Sequence, residues 1–188
     1  MADTSTKDRI IAAAMDITQA KGARHLTIDA VTVKSGLSKG GVLYHFPSKT
    51  ALLEGLISQT VLQFRAQIQS YRSALADAPN PTLRALVQWL TAILDQKQSL
   101  PTALLAARAE DSELLKPVRD EFDDLWQMIR AEATDLTTVQ VIWCALSGIH
   151  YLEMFQLAPD GTPQLRDCLA QIALMISNLP EVMKADAN

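Results

Sequence analysis

The apolar residues of this chain recur every third or fourth position through each long segment, and that period constrains the fold more than any other feature. Residues 48–73 show it most cleanly: Leu52, Leu53, Leu56, Ile57, Val61, Phe64, Ile68 and Tyr71 stand at i, i+3 and i+4. That spacing lays one face of a helix against a core. Residues 6–21 repeat it with Ile10, Ile11, Ala14, Met15, Ile17 and Thr18, as do 82–97, 117–133, 137–157 and 164–178. Ser99 and Pro101 open a further helix to about Ala109. No segment reads convincingly as a strand. Seven glycines and eight prolines in 188 residues are few for an all-β chain with its many turns. The period predicts an all-α fold of about nine helices.

Local signals place the helix ends. Gly22 follows the first helix as a C-terminal cap. Thr27 can cap 28–35, with Gly36 just past its end, and Ser38 can cap a short helix through about Phe46. Pro47 breaks the chain and Ser48 restarts it. The stretches DAPNP (77–81) and APDGTP (158–163) read as a linker and a loop. The helix at 137–157 is apolar almost all round near VIWCAL, so it needs cover on more than one side. In 164–178 one broad stripe holds Leu165, Cys168, Leu169, Ile172, Ala173, Met175 and Ile176.

Charge and cysteine usage narrow the function classes. The chain carries −4 overall, unevenly: residues 1–50 hold seven Lys/Arg against four Asp, and the remainder ten basic against 17 acidic residues. A basic N-terminal segment on an acidic chain fits nucleic-acid contact there; it equally fits a solvated face. Cys144 and Cys168 lie in apolar helical segments without metal-ligand spacing, which reads as two buried free thiols in a reducing compartment. The N-terminus lacks the apolar run of a signal peptide, and no window approaches a membrane span of about 20 apolar residues. The expectation is a soluble, cytoplasmic protein with no membrane partner, no cofactor and no metal. No nucleophile stands beside a base, no H-E-x-x-H occurs, and no Gly-rich phosphate loop follows a strand, so the chain does not read as an enzyme.

Residues 27–46 carry the functional signal. Two short helices are joined by Gly36-Leu37-Ser38. Glycine admits the left-handed turn residue, and Val42 on the second helix would anchor against Val31 and Ile28 on the first. In a helix-turn-helix the second helix enters the major groove with its N-terminal residues nearest the bases; a plain structural hairpin has the same spacing. Lys39 stands at the tip of that helix, Tyr44 and His45 near its end, and Lys49 opens the next. All four suit phosphate oxygens, as do backbone N–H groups at Thr27 and Ser48. Each also has an ordinary reading: wedged aromatic, packing histidine, solvated lysine. Gly40 and Gly41 follow Ser38 in the first turn, where N–H groups have no helical partner in any case. Their lack of side chains reads as clearance for a base pair or phosphate, and Gly41→Leu is expected to weaken DNA binding while sparing the fold.

The run LTIDAVTVKSGLSKGGVLYHFPSKTALLEGLI resembles the DNA-binding domain of TetR-family transcriptional regulators over about residues 5–55. The likeness rests on Leu26-Thr27, Gly36, Ser38-Lys39-Gly40, His45-Phe46, Ser48-Lys49 and Leu52. AEDSELLKPVRD (109–120) and the helix containing Gly148 look like parts of the family's ligand domain. Thr32 and Ser35 stand where members often have Ala, and Leu43 where a first tyrosine is common. Leu43 cannot donate to phosphate but could touch a thymine methyl.

The resemblance implies a three-helix DNA-binding head (1–48) and a regulatory, ligand-binding and dimerisation body (49–188). It implies a homodimer on a pseudo-palindromic double-stranded operator, usually as a repressor released by a small-molecule effector. Thr27, Lys39, Tyr44, His45 and Lys49 would meet backbone, with Lys39, Gly40 and Leu43 facing the groove; Ser38 and Gly41 complete the DNA-binding set. Helices 137–157 and 164–178 would pair across the dimer through Cys144, Ser147, Gly148, Tyr151, Phe155, Leu169, Ile172, Met175 and Ile176. A body pocket would draw on Trp89, Arg108, Phe122, Trp126, Trp143 and His150. Ligand binding would change the spacing of the two recognition helices, from roughly 34–36 Å, through helix 48–73. Control by a protein partner without any small molecule is the alternative. The effector, the operator and the sign of regulation are not legible.

Overall fold

The structure, a computed structural model, describes residues 5–96, 111–155, 157–158 and 162–180. Among them are eight α-helices: α1 (Thr6–Lys21), α2 (Ile28–Ser35), α3 (Lys39–His45), α4 (Lys49–Ala74), α5 (Pro81–Gln96), α6 (Lys116–Glu132), α7 (Leu136–Met154) and α8 (Thr162–Ser177). Short 3-10 turns cover Ala23–His25 and Ser112–Leu115. The all-α expectation holds; the helix expected at 101–109 lies outside the described residues. The chain divides into two compact units, residues 1–63 with 99–121 and residues 64–98 with 122–188.

The first unit is built on α1, which packs on α2, while α2 packs on α3. A reciprocal capping box starts α1: Ser5 Oγ accepts from Asp8 N at 3.2 Å, and Asp8 Oδ2 accepts from Ser5 N at 3.2 Å. Gly22 ends α1 at φ 84°, ψ 158°, so it serves as a cap through positive φ but not in the left-handed helical region. The core buries Ile10, Ala14, Leu26, Val31, Val42 and Leu53 fully, with Leu114 from the second segment added to it. Full burial of one such side chain is worth about 1.5–3 kcal/mol. Gly55 on α4 permits a close approach in this unit. A Cβ there would stand 2.7 Å from both Ile11 Cδ1 and Phe46 Cε1.

The second unit packs α5, α7 and α8 against one another. Leu83, Leu90 and Leu94 of α5, Ile142 and Leu146 of α7, and Leu165 and Ile176 of α8 are buried. Its polar knot is the Glu132 carboxylate. That group accepts from Arg72 Nη2 (3.0 Å), Thr82 N (2.8 Å) and Thr82 Oγ1 (2.7 Å). The knot ties the end of α4, the start of α5 and the end of α6. Pro81 occupies the first position of α5, where its missing N–H costs nothing.

Both cysteines depart from expectation: Cys144 and Cys168 are exposed in the chain. The reason is geometric. Val139, Ile142, Leu146 and Ile149 take the inward face of α7, and Leu165, Leu169, Ile172 and Ile176 that of α8. The cysteines stand off these rows, so the buried stripe is narrower than the apolar one.

Candidate nucleic-acid interface and ligand site

The DNA-binding candidates sit at helix ends that close as the sequence suggests. Thr27 Oγ1 accepts from Ala30 N (3.1 Å), Ser38 Oγ from Gly41 N (3.1 Å) and Ser48 Oγ from Ala51 N (3.0 Å). Gly36 takes φ 68°, ψ 21°, the left-handed conformation a helix-turn-helix needs. Val42 and Val31 are fully buried and Leu37 packs partly against the same core, so α3 is anchored by one face only. Its other face is open. Tyr44 is 84% exposed, with its ring edge-on to His45 at 5.1 Å, and is not a wedge between helices. Leu43 is partly exposed, His45 and Lys39 are exposed, and Lys49 is half-covered. Thr32, unusual at its position, donates its hydroxyl to Ile28 O at 2.8 Å and so fits the crossing without an orphaned polar group.

The glycine pair divides. A Cβ at Gly40 would meet nothing within 4 Å, whereas one at Gly41 would stand 3.3 Å from Ser38 Oγ. A side chain at position 41 presses on the capping hydroxyl as well as filling the tip. Gly40 is the cleaner position at which to test clearance.

Asp29 escaped the sequence reading. Its Oδ1 lies 2.8 Å from Lys39 Nζ, joining the first turn of α2 to the tip of α3. The two residues are ten positions apart on different helices, so no local spacing rule reveals them.

In the second unit the pocket candidates fall into two aromatic nests. In one, Trp89 stands between Phe64 (4.7 Å, edge-on) and the His150 ring (5.1 Å, tilted 30°). The Trp89 indole N–H donates to Gln67 Oε1 at 2.9 Å. His150 Nδ1 is buried with no hydrogen-bond partner among the described residues. Burial pushes the pKa of His150 down from its ordinary 6.5 to about 4, so the ring is neutral near pH 7. In the other nest Trp143 meets Phe122 edge-on at 5.5 Å and Trp126 at 6.3 Å. Arg108 lies outside the described residues.

The dimer candidates also separate. Cys144, Tyr151, Phe155 and Met175 are exposed, and a Cβ on Gly148 would meet nothing within 4 Å. Ser147 is half-buried, and Leu169, Ile172 and Ile176 are buried within the chain. Between α7 and α8 lies a groove of ≈ 690 Å³ lined by Ala145, Gly148, Leu152, Cys168, Gln171 and Ile172 among others. Val141 and Leu174 add exposed apolar surface on the same two helices.

A left-handed glycine between two short capped helices, one anchored by a single face, defines a helix-turn-helix. Comparison with known proteins gives the family. Residues 10–56 match the family model "Bacterial regulatory proteins, tetR family", and residues 80–177 match "Tetracyclin repressor-like, C-terminal domain". The chain belongs to the TetR family of transcriptional regulators. Among curated relatives, the HTH-type transcriptional regulator BetI of Stenotrophomonas maltophilia (strain R551-3) is 28% identical over 81 residues, 43% of this chain and 41% of that protein. The chain spans less than half the length of the curated relatives it matches. Among solved structures, a transcriptional regulator from Rhodococcus sp. Rha1 superposes with TM-score 0.75 at 18% identity, covering 95% of this chain and all of that one. The multidrug binding protein EbrR complexed with malachite green gives 0.63 at 20% identity, covering 93% and 98%. Such likenesses concern the fold. No helix among the described residues is long and apolar enough to cross a membrane.

Proposed function

We propose that this chain is a cytoplasmic repressor that binds a pseudo-palindromic operator as a homodimer and is released from it by a small-molecule effector. The observation that carries the DNA contact is the open face of α3. Tyr44 is almost wholly exposed beside His45, with Lys39 exposed at the start of the same helix, whose other face is anchored by Val42. An exposed aromatic and cations flanking three helix N-termini suit phosphates and base edges. Residues 1–48 serve as the DNA-binding domain, with Thr27, Ser38, Tyr44, His45 and Lys49 at the backbone and Lys39, Gly40, Gly41 and Leu43 toward the groove.

Residues 49–188 bind effector and partner subunit. The apolar surface on α7 and α8 around Val141, Tyr151, Phe155, Leu174 and Met175 supports a second copy as its cover. The two aromatic nests support a planar, largely apolar effector, and EbrR is a relative in fold solved with ethidium and with malachite green. His150 Nδ1 is the polar group such an effector would satisfy. Differential affinity of the effector for the two states, transmitted along α4, would change operator affinity.

The test starts from selection of duplexes bound out of random DNA. Lys49→Ala should weaken binding and lower the slope of log affinity against log salt by about one, and Lys39→Ala should weaken binding to the selected duplex. Binding with no salt response, on any DNA, would overturn the reading. Sedimentation should give twice the chain mass, with Tyr151→Glu returning the monomer.

A further inference from the structure

Two lysine–aspartate ion pairs join different helices of the first unit. Lys39 Nζ meets Asp29 Oδ1 at 2.8 Å, and Lys34 Nζ meets Asp16 Oδ2 at 3.0 Å. The side chains of Lys39 and Asp29 are 60% and 75% exposed. Pairs this open add little to stability, and although an acidic residue in the first turn of α2 suits that helix's dipole, the dipole does not require a lysine beside it. The pair's location does suggest a use. Lys39 is the first residue of α3 and Asp29 the second of α2, and both helices begin where DNA would lie.

We propose that Asp29 is a specificity-determining residue of the DNA interface, which by pairing with Lys39 withholds that lysine from indiscriminate phosphate contact. This rests on the reading of α3 as the helix that enters the groove. An ammonium group has three N–H donors and no fixed direction. Left free, it reaches whichever phosphate is nearest, and every duplex offers one. Held by Asp29, it spends one donor on the carboxylate and keeps two for another acceptor at the tip of α3. A guanine edge, with O6 and N7 as acceptors, can use those two without breaking the pair. A random duplex gains little from Lys39, because the paired carboxylate offsets most of its charge toward phosphate. The pair therefore opposes non-specific binding and leaves a matched site unaffected. Asp16 gives the comparison: it pairs with Lys34 near the other end of α2, not with Lys39.

The experiment measures affinity for a selected operator and for a random-sequence duplex, each across a salt series, using the full chain. Asp29→Asn should tighten binding to the random duplex about fivefold at 0.15 M salt and steepen its salt slope by about one, the signature of one added phosphate contact. Operator affinity should stay level or fall, so the specificity ratio drops at least fivefold. Asp16→Asn, which removes the same charge, should leave the ratio unchanged. In a Lys39→Ala background Asp29→Asn should lose its effect on the random duplex. Asp29→Glu, which restores a carboxylate at the same place, should restore the ratio and guards against a folding defect in the Asn variant.

Equal gains on both duplexes, or the same behaviour from Asp16→Asn, would reduce Asp29 to bulk charge and overturn the proposal. A gain that persists without Lys39 would overturn it too, because the carboxylate would then act on phosphate directly. Operator binding indifferent to Lys39→Ala marks a different failure, that of α3 as the groove helix.

Discussion

The candidate DNA-facing ring of the first unit and the candidate pocket rings of the second are held in opposite ways. In the first, Tyr44 stands almost wholly in solvent, on a helix whose buried side is a single valine. In the second, Trp89 is buried against Phe64 and His150, and Trp143 lies half-buried against Phe122 and Trp126. Where working residues lie outside the core, function and stability can be altered separately. Where they lie inside it, each change to the site is also a change to the fold. The first unit should therefore tolerate substitutions at its site, and the second should register them as lost stability.

The most damaging way to sharpen that contrast is Glu132→Ala. It leaves Arg72 and Thr82 without their shared acceptor, and removing one partner of a largely buried pair is expected to cost about 3–4 kcal/mol. Chemical denaturation followed by Trp fluorescence should report it, since all three tryptophans lie in the second unit.

Acid should act next most strongly, again on the second unit. The pKa of His150 in the folded chain, about 4, lies below the ordinary 6.5. The unfolded chain binds this proton first. The contribution is complete above pH 6.5 and is lost as pH falls toward 4, up to about 3 kcal/mol by linkage. His150→Phe should flatten the stability profile across that window; an unchanged profile would break the contrast.

Gly55→Val should destabilise the first unit by about 2 kcal/mol through overpacking against Ile11 and Phe46. Thermal melting followed by hydrogen exchange in α1 should locate the loss. Ser38→Ala should cost about 1 kcal/mol as a lost cap. Its effect on operator affinity should exceed what that loss of stability explains, because the cap sets the tip of α3.

What was legible in the sequence follows the range of each interaction. The caps at Thr27, Ser38 and Ser48 each reach three residues, and a local rule finds them. So does Gly36, whose turn is set by its own φ. The knot at Glu132 joins positions 50 and 60 residues apart, and the pair of Asp29 with Lys39 crosses between helices. Only the packed chain brings such partners together. Periodicity located the helices but overstated their buried faces, since Cys144, Cys168 and Met175 fit the apolar pattern and still face outward. The count of nine helices relied on a segment outside the described residues.

The empty space at Gly40 has a practical consequence. A side chain built there meets no protein atom within 4 Å, and the position lies in the first turn of α3 where the cap is made by its neighbours. Position 40 is thus a socket for re-engineering: a library of residues at this one site would change what the tip of α3 presents to DNA while leaving the scaffold alone. Selecting that library against altered operators would turn a glycine into an adjustable reading element.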